Sequence, residues 1–320
     1  METLSEDDLL AHLAKDSRHR WELSQSLAGS GTRQQLEFLA TQVGGDRRSA
    51  ALLHWMGEAG ATALASRLGE GCDGLTQRMA AVTLQGSGEN GLAALDAVLA
   101  GPDRLARRNA AEALAFCGGC ERMVARLEHP EADVRLCAVY GLSRAPQLPL
   151  SAARSLGARL KDAEPAVRQL AAEALEARER LGATALAEQL GEADAWQLAA
   201  QSLRRLGACG AKGACEALGL AVPPARRRAA DLLVEMGEAG AQAALSCLGD
   251  QRPDVRRRAA EVLGRLACAE PAMAALLEDP DPYVRVSAAR ALQEQAEALG
   301  LSEKVAEVLS SRKACQRRRI

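Results

Sequence analysis

The sequence predicts an all-α protein of the solenoid class, a right-handed superhelix of about nine to ten stacked two-helix repeats, on three observations. The first is a recurring skeleton of aspartate, proline, Val-Arg, Ala-Ala and leucine. It stands at Gly249 to Leu266 as GDQRPDVRRRAAEVLGRL, at Lys161 as KDAEPAVRQLAAEAL and at Glu278 as EDPDPYVRVSAARAL. The second is its period. The second alanine of each pair, or its replacement, falls at positions 50, 81, 111, 139, 172, 200, 230, 260 and 289, an interval of about 30 residues that marks a repeat array. The third is a pair of longer echoes: MGEAGA at Met56 to Ala61 returns at Met236 to Ala241, and GATALASRLGE at Gly60 returns as GATALAEQLGE at Gly182.

Each part of the skeleton has a physical task. Asp250 or Asp254 is placed to cap the free N–H groups of a helix start, and Pro253 falls in the first turn, where a proline loses no hydrogen bond. Val255, Ala259, Val262, Leu263 and Leu266 then share one apolar stripe, with Arg257 and Glu261 on the opposite side. The helix therefore buries one face and wets the other.

Along the chain, residues 1–31 read as a divergent helical cap, with helices from about Ser5 to Ala14 and His19 to Ala28. Glu6, Asp7 and Asp8 suit the first turn of a helix, and a terminal repeat needs a polar outer face. Residues 32–310 form the array, each repeat opening with a helix such as Leu36 to Val43, Ala61 to Leu68 or Ala241 to Leu248. The widest step contains Arg144-Ala-Pro-Gln-Leu-Pro-Leu150, whose prolines force an extended connection. It reads as a tolerated insertion, a partner-contacting loop or a bend. Residues 311–320 form a basic tail with Arg312, Lys313 and Arg317 to Arg319.

The skeleton resembles the HEAT-repeat family, most closely the short HEAT-like repeats of phycobilisome lyases, over roughly residues 32 to 310. The resemblance implies paired antiparallel helices, A and B, with the B helices lining the concave side. It also implies that Arg135, Arg168, Arg256 and Arg285 are structural, each pairing with an inter-repeat aspartate. Gln77 and Trp196 stand where this arginine is expected, so stacking is expected to be least regular at those two repeats.

Nearest-neighbour stacking makes one elongated body, about 90 Å long for nine pairs at the usual helix spacing. A formal charge of −2 argues against a general nucleic-acid surface. No run of apolar residues reaches the length of a membrane span, and the acidic start METLSEDDLLAHLAKD does not resemble a targeting peptide. The expected setting is intracellular and soluble, cytoplasmic or nuclear. Nine scattered cysteines read as reduced thiols, not a disulfide framework.

No catalytic constellation, metal site or cofactor is predicted. Cys117-Gly-Gly-Cys120 has metal-ligand spacing but lacks a second pair, and Cys209 and Cys215 read as structural. HEAT-repeat deoxyhypusine hydroxylases hold iron on His-Glu pairs. No His-Glu dipeptide occurs here, and His12, His19, His54 and His129 have other neighbours. Arg108, Arg227 and Arg257 have Glu112, Asp231 and Glu261 four residues on, so these arginines are expected to be charge-compensated along their helices.

The expected function is a non-catalytic scaffold or adaptor for a macromolecular partner, most readily a protein, on the concave B-helix surface. The alternatives are a bilin lyase or chromophore chaperone of the HEAT-like type, and an RNA-binding assembly factor using the basic tail. Exposed B-helix positions are polar in most repeats, but one repeat presents Leu136 and Tyr140. These two are the expected partner anchors, with Arg108, Glu112, Gln169 and Glu173 as a polar rim setting register.

Overall fold

Helix starts in this chain are specified locally. The side chains of Ser5, Asp16, Thr32, Asp46, Asp73, Asp103 and Asp281 each accept a hydrogen bond from a first-turn backbone N–H of the helix that follows, satisfying donors that have no partner inside the helix. Pro223, Pro253 and Pro282 occupy first-turn positions. The expected cap at Pro253 is not formed: Arg252 is the N-cap residue, and Asp250 turns back to accept from the Arg252 backbone and guanidinium. Asp254 lies inside its helix and pairs with Arg257 and Arg258.

The computed structural model describes residues 4–69, 71–268, 271–293 and 301–317, and among them it has 21 α-helices and no strand. The side chains of the basic tail, 311–320, lie outside the described residues. The chain divides into two compact units, Met1–Ser155 with Glu164–Leu170, and Leu156–Ala163 with Ala171–Ile320.

The first unit contains α1 (Glu6–Leu13), α2 (Ser17–Ser30), α3 (Arg33–Gln42), α4 (Arg47–Trp55), α5 (Glu58–Ala65), α6 (Gly74–Gly86), α7 (Gly88–Leu99), α8 (Arg104–Phe116), α9 (Cys120–Arg126) and α10 (Ala132–Arg144). Helices α1, α3, α5 and α7 pack in succession as an A layer, and α2, α4, α6, α8 and α10 pack in succession as a B layer. Each A helix also packs on the B helix that follows it. Between the layers lie fully buried leucines such as Leu39, Leu52, Leu64, Leu84, Leu95 and Leu114. The alanine pair Ala110 and Ala111 is fully buried too; its small side chains suit close helix packing.

Helices α11 (Leu150–Ala158) and α12 (Pro165–Glu176) carry residues of both units. The second unit continues with α13 (Glu179–Glu188), α14 (Trp196–Arg205), α15 (Ala208–Ala217), α16 (Pro223–Glu235), α17 (Glu238–Ser246), α18 (Pro253–Arg265), α19 (Pro271–Ala275), α20 (Pro282–Leu292) and α21 (Ser302–Arg317). Its A helices α13, α15 and α17 pack in succession, as do its B helices α16, α18 and α20. Val255, Ala259, Val262 and Leu263 are buried on α18, as the apolar stripe requires, whereas Leu266, at the C-cap, is only half-buried.

The MGEAGA echo is a turn. Gly57 and Gly237 have φ of +62° and +57° with ψ of −127° and −121°, a conformation open to glycine that reverses the chain between a B helix and the next A helix. Three residues on, a Cβ at Gly60 or Gly240 would stand 1.8 Å from the carbonyl oxygen of Leu53 or Leu233. The start of the A helix therefore rides directly on the backbone of the B helix before it. Ala267 holds the turn position after α18 with φ +52° and no glycine.

Candidate partner-binding face

The skeleton arginine is a backbone clasp. Arg256 donates through Nη1 to the carbonyls of Asp250 and Gln251 at 2.8 and 3.1 Å, and through Nε and Nη2 to both carboxylate oxygens of Asp279 at 2.7 and 2.8 Å. Arg135 reaches the carbonyls of His129 and Pro130, both at 2.9 Å. Arg285 does the same at Asp279 and Pro280, as do Arg107 at Gly101 and Pro102 and Arg226 at Leu220 and Ala221. Each therefore ties down carbonyls between the A helix and its B helix, groups that would otherwise lack donors. The expected inter-repeat aspartate is present for Arg256, and for Arg107 with Asp133 at 3.5 Å. Arg168 holds the same place on α12.

The two repeats without this arginine keep the clasp by other means. Gln77 donates Nε2 to the carbonyls of Gly69 and Cys72 at 2.9 and 3.1 Å. At Trp196 the guanidinium comes from the next B helix. Arg228 on α16 lies over the Trp196 ring, 4.8 Å from its centroid, and donates to the carbonyls of Leu190 and Glu192 at 2.7 and 3.2 Å.

The side of the B layer turned away from the A layer carries residues spaced four apart, which keeps them within a narrow sector of each helix. On α4 they are Arg47, Ala51 and Trp55; on α6, Arg78, Val82 and Gly86; on α8, Arg108, Glu112 and Phe116; on α10, Leu136, Tyr140 and Arg144. The expected anchors Leu136 and Tyr140 are half-buried. The Tyr140 hydroxyl donates to Glu112 Oε2 at 3.4 Å, and the Arg108 guanidinium sits over the Tyr140 ring at 5.0 Å. Hydrogen bonding and charge from Tyr140 hold the Arg108 pKa above its ordinary value. Leu136, Tyr140, Arg108 and Glu112 therefore come together, whereas Gln169 and Glu173 are exposed on α12, the former assigned to the first unit and the latter to the second.

The most exposed apolar side chains on α4, α6, α8 and α10 of this face are others, Val82 at 60% exposure and Phe116 at 54%. Neither was among the anchors expected from the sequence, which compared the exposed columns in other repeats. Aligning on the second alanine puts Val82 in the column of Tyr140, which is the signal that finds it.

Charge compensation along the helices is partial. Arg257 pairs with Glu261 at 2.9 Å, but Asp231 pairs with Arg265 of the next B helix at 2.9 Å, and Glu112 with Arg144 at 3.7 Å. The expected Arg108–Glu112 and Arg227–Asp231 pairs give way to partners on neighbouring helices, whose side chains reach the same carboxylates across the stack.

Cys117 and Cys120 bracket a turn with Gly118 at φ +78°. The Cys117 thiol bonds back to the Ala113 carbonyl at 3.2 Å, and burial raises its pKa. No cluster of three metal-ligating side chains occurs among the described residues. The expectation of wholly reduced thiols fails at one pair: Cys215 on α15 and Cys247, at the end of α17, form a disulfide with Cα atoms 6.8 Å apart. Their separation of 32 residues is close to one repeat, which sets them opposite each other on adjoining A helices.

Residues 241–314 match the family model for HEAT repeats. This segment is built of HEAT repeats. The HEAT skeleton read at Glu278 lies inside the match, and the one at Lys161 carries the same pattern upstream of it. No curated protein matches the sequence. Among solved structures, an engineered protein is similar at 19% identity over 91% of this chain and 98% of its own, with a TM-score of 0.31. Human deoxyhypusine hydroxylase is similar at 22% identity over 74% of this chain and 96% of its own, TM-score 0.31, and yeast importin-beta at 14% over 90% and 50%, TM-score 0.32. These likenesses assign neither activity nor partner. No described helix is long and apolar enough to cross a membrane.

Proposed function

We propose that the chain is a non-catalytic scaffold that binds a protein partner on the outer face of its B layer. One observation carries this reading: in a chain with only 2% aromatic residues, bulky apolar side chains stand exposed or half-exposed together on that face, among charged neighbours. That is the composition of an interface centre with a polar rim. Leu136 and Tyr140 are the proposed anchors, with Arg108 and Glu112 as the polar rim.

The test is affinity capture with identification of bound proteins, comparing the parent chain with Leu136→Ala/Tyr140→Ala. The double variant is expected to weaken capture more than ten-fold, roughly 1.4 kcal/mol or more, at unchanged helicity by circular dichroism. Capture undiminished by a folded double variant removes these anchors. Absence of any captured protein removes the scaffold reading itself.

A further inference from the structure

Three neighbouring B helices of the first unit, α4, α6 and α8, bear a two-edged strip that the core and the clasps leave unused. One edge is cationic. Arg47, Arg78 and Arg108 stand at the same repeat position on successive helices, and all three are exposed. Among the described residues no ion pair of 4.0 Å or less joins any of them to a carboxylate. Arg78 folds back onto the Gly74 carbonyl at 3.1 Å, and Arg108 rests on the Tyr140 ring. The aspartates at that end, Asp46, Asp73 and Asp103, cap their helices. Glu112, inside the strip, is matched by Arg144.

Eight residues further along each helix, the other edge is apolar. Trp55 and Phe116 occupy it on α4 and α8, and Gly86 lies between them on α6. A Cβ built on Gly86 would meet nothing within 4 Å, so α6 leaves an open notch between two aromatic side chains. Val82, 60% exposed, stands between the two edges.

The spacing selects the occupant. Packed helices lie about 8–10 Å apart, so the arginines recur at that interval along the stack; seven residues of an α-helix, roughly two turns, advance about 10.5 Å. A helix laid across α4, α6 and α8 with an acid every seven residues meets each arginine in turn. Building on the scaffold reading, we infer that this strip receives an acidic amphipathic helix of a protein partner, its carboxylates on Arg47, Arg78 and Arg108 and a large apolar side chain seated over Gly86 between Trp55 and Phe116. The second unit offers no equivalent strip on α16 and α18, because Glu235 and Arg265 stand there in the places of Trp55 and Phe116, and Arg257 is paired with Glu261.

The test uses the full chain and fluorescence anisotropy with four labelled probes. These are a synthetic helical peptide with glutamate at every seventh position and leucine and phenylalanine on the adjoining face, its glutamine-for-glutamate counterpart, a scrambled peptide of the same composition, and a single-stranded RNA. The acidic helix is expected to bind about ten-fold or more tighter than the other three, with an affinity that falls as salt rises. Arg78→Glu/Arg108→Glu and, separately, Gly86→Phe are each expected to weaken it about ten-fold. Gly86→Phe fills open space, so it blocks the notch without disturbing the core, and circular dichroism checks that it folds. Absent or non-saturable binding of the acidic helix, equal binding of the glutamine or scrambled peptide, tighter binding of RNA, or indifference to Gly86→Phe would each overturn the inference. If captured proteins are retained by the Gly86→Phe chain, the scaffold reading stands and this site falls. If the acidic helix binds but no protein is captured, the site stands and the scaffold reading falls.

Discussion

Ala267 occupies a place that Gly57 and Gly237 fill elsewhere, with φ +52° and a side chain that the left-handed region disfavours. Ala267→Gly is therefore expected to stabilise the second unit by about 1 kcal/mol in urea unfolding. Gly240→Ala should do the reverse by about 2 kcal/mol, since its Cβ would collide with the Leu233 carbonyl and push α17 off α16. At this scale the sequence was half legible. The recurrence of MGEAGA was visible at once, but its reason, one glycine for a turn and another for a backbone contact, needs coordinates. Val82 and Phe116 were legible in principle from their columns; the half-burial of Tyr140 was not, because it depends on how Arg108 and Glu112 of α8 fold onto it.

The clasps set the stability of each helical pair. Arg256 holds the Asp279 carboxyl below its ordinary value of 3.8, chiefly through their hydrogen bonds. Asp279→Asn should cost about 2 kcal/mol at neutral pH. A depressed folded-state pKa contributes stability that is complete above the unfolded value and is lost as pH falls through the folded one. The gap between parent and variant should accordingly begin to narrow as pH falls below about 4 and close only below the depressed folded-state value; a gap that persists unchanged in acid would mean that the carboxylate charge is not its source. The relocated clasp gives a sharper test. Arg228→Ala should destabilise by about 1–2 kcal/mol, and adding Trp196→Arg, which restores the usual donor, should recover most of the loss. The sequence announced the missing arginine at Trp196 and, on that ground, an expectation of irregular stacking there. It could not announce the replacement, since Arg228 lies 32 residues on and reads as one more surface arginine until its reach is known.

Across the whole chain the array was legible and the division into two units was not, because repeats on both sides share one skeleton and one period. Stability in stacked repeats is a sum of local terms, so each unit should report its own unfolding. Trp21 and Trp55 belong to the first unit and Trp196 to the second. A Trp21→Phe/Trp55→Phe chain should follow the second unit by fluorescence, and Trp196→Phe the first. Asp279→Asn is expected to move the midpoint seen by Trp196 and leave that seen by Trp21 and Trp55 in place; an equal shift of both would make the chain one cooperative block.

The loan of Arg228 to the Leu190 carbonyl also bears on how such a chain can change in length. Arrays grow and shrink by duplicating or excising one period, and that traffic is harmless only when every period is self-sufficient. Here excision of the stretch bearing α16 would leave the preceding repeat with a stranded tryptophan and open carbonyls, and a copy of the Trp196 repeat placed elsewhere would arrive without its donor. These two repeats are heritable only as a couple, so the indels tolerated by descendants of this gene should spare the join between them.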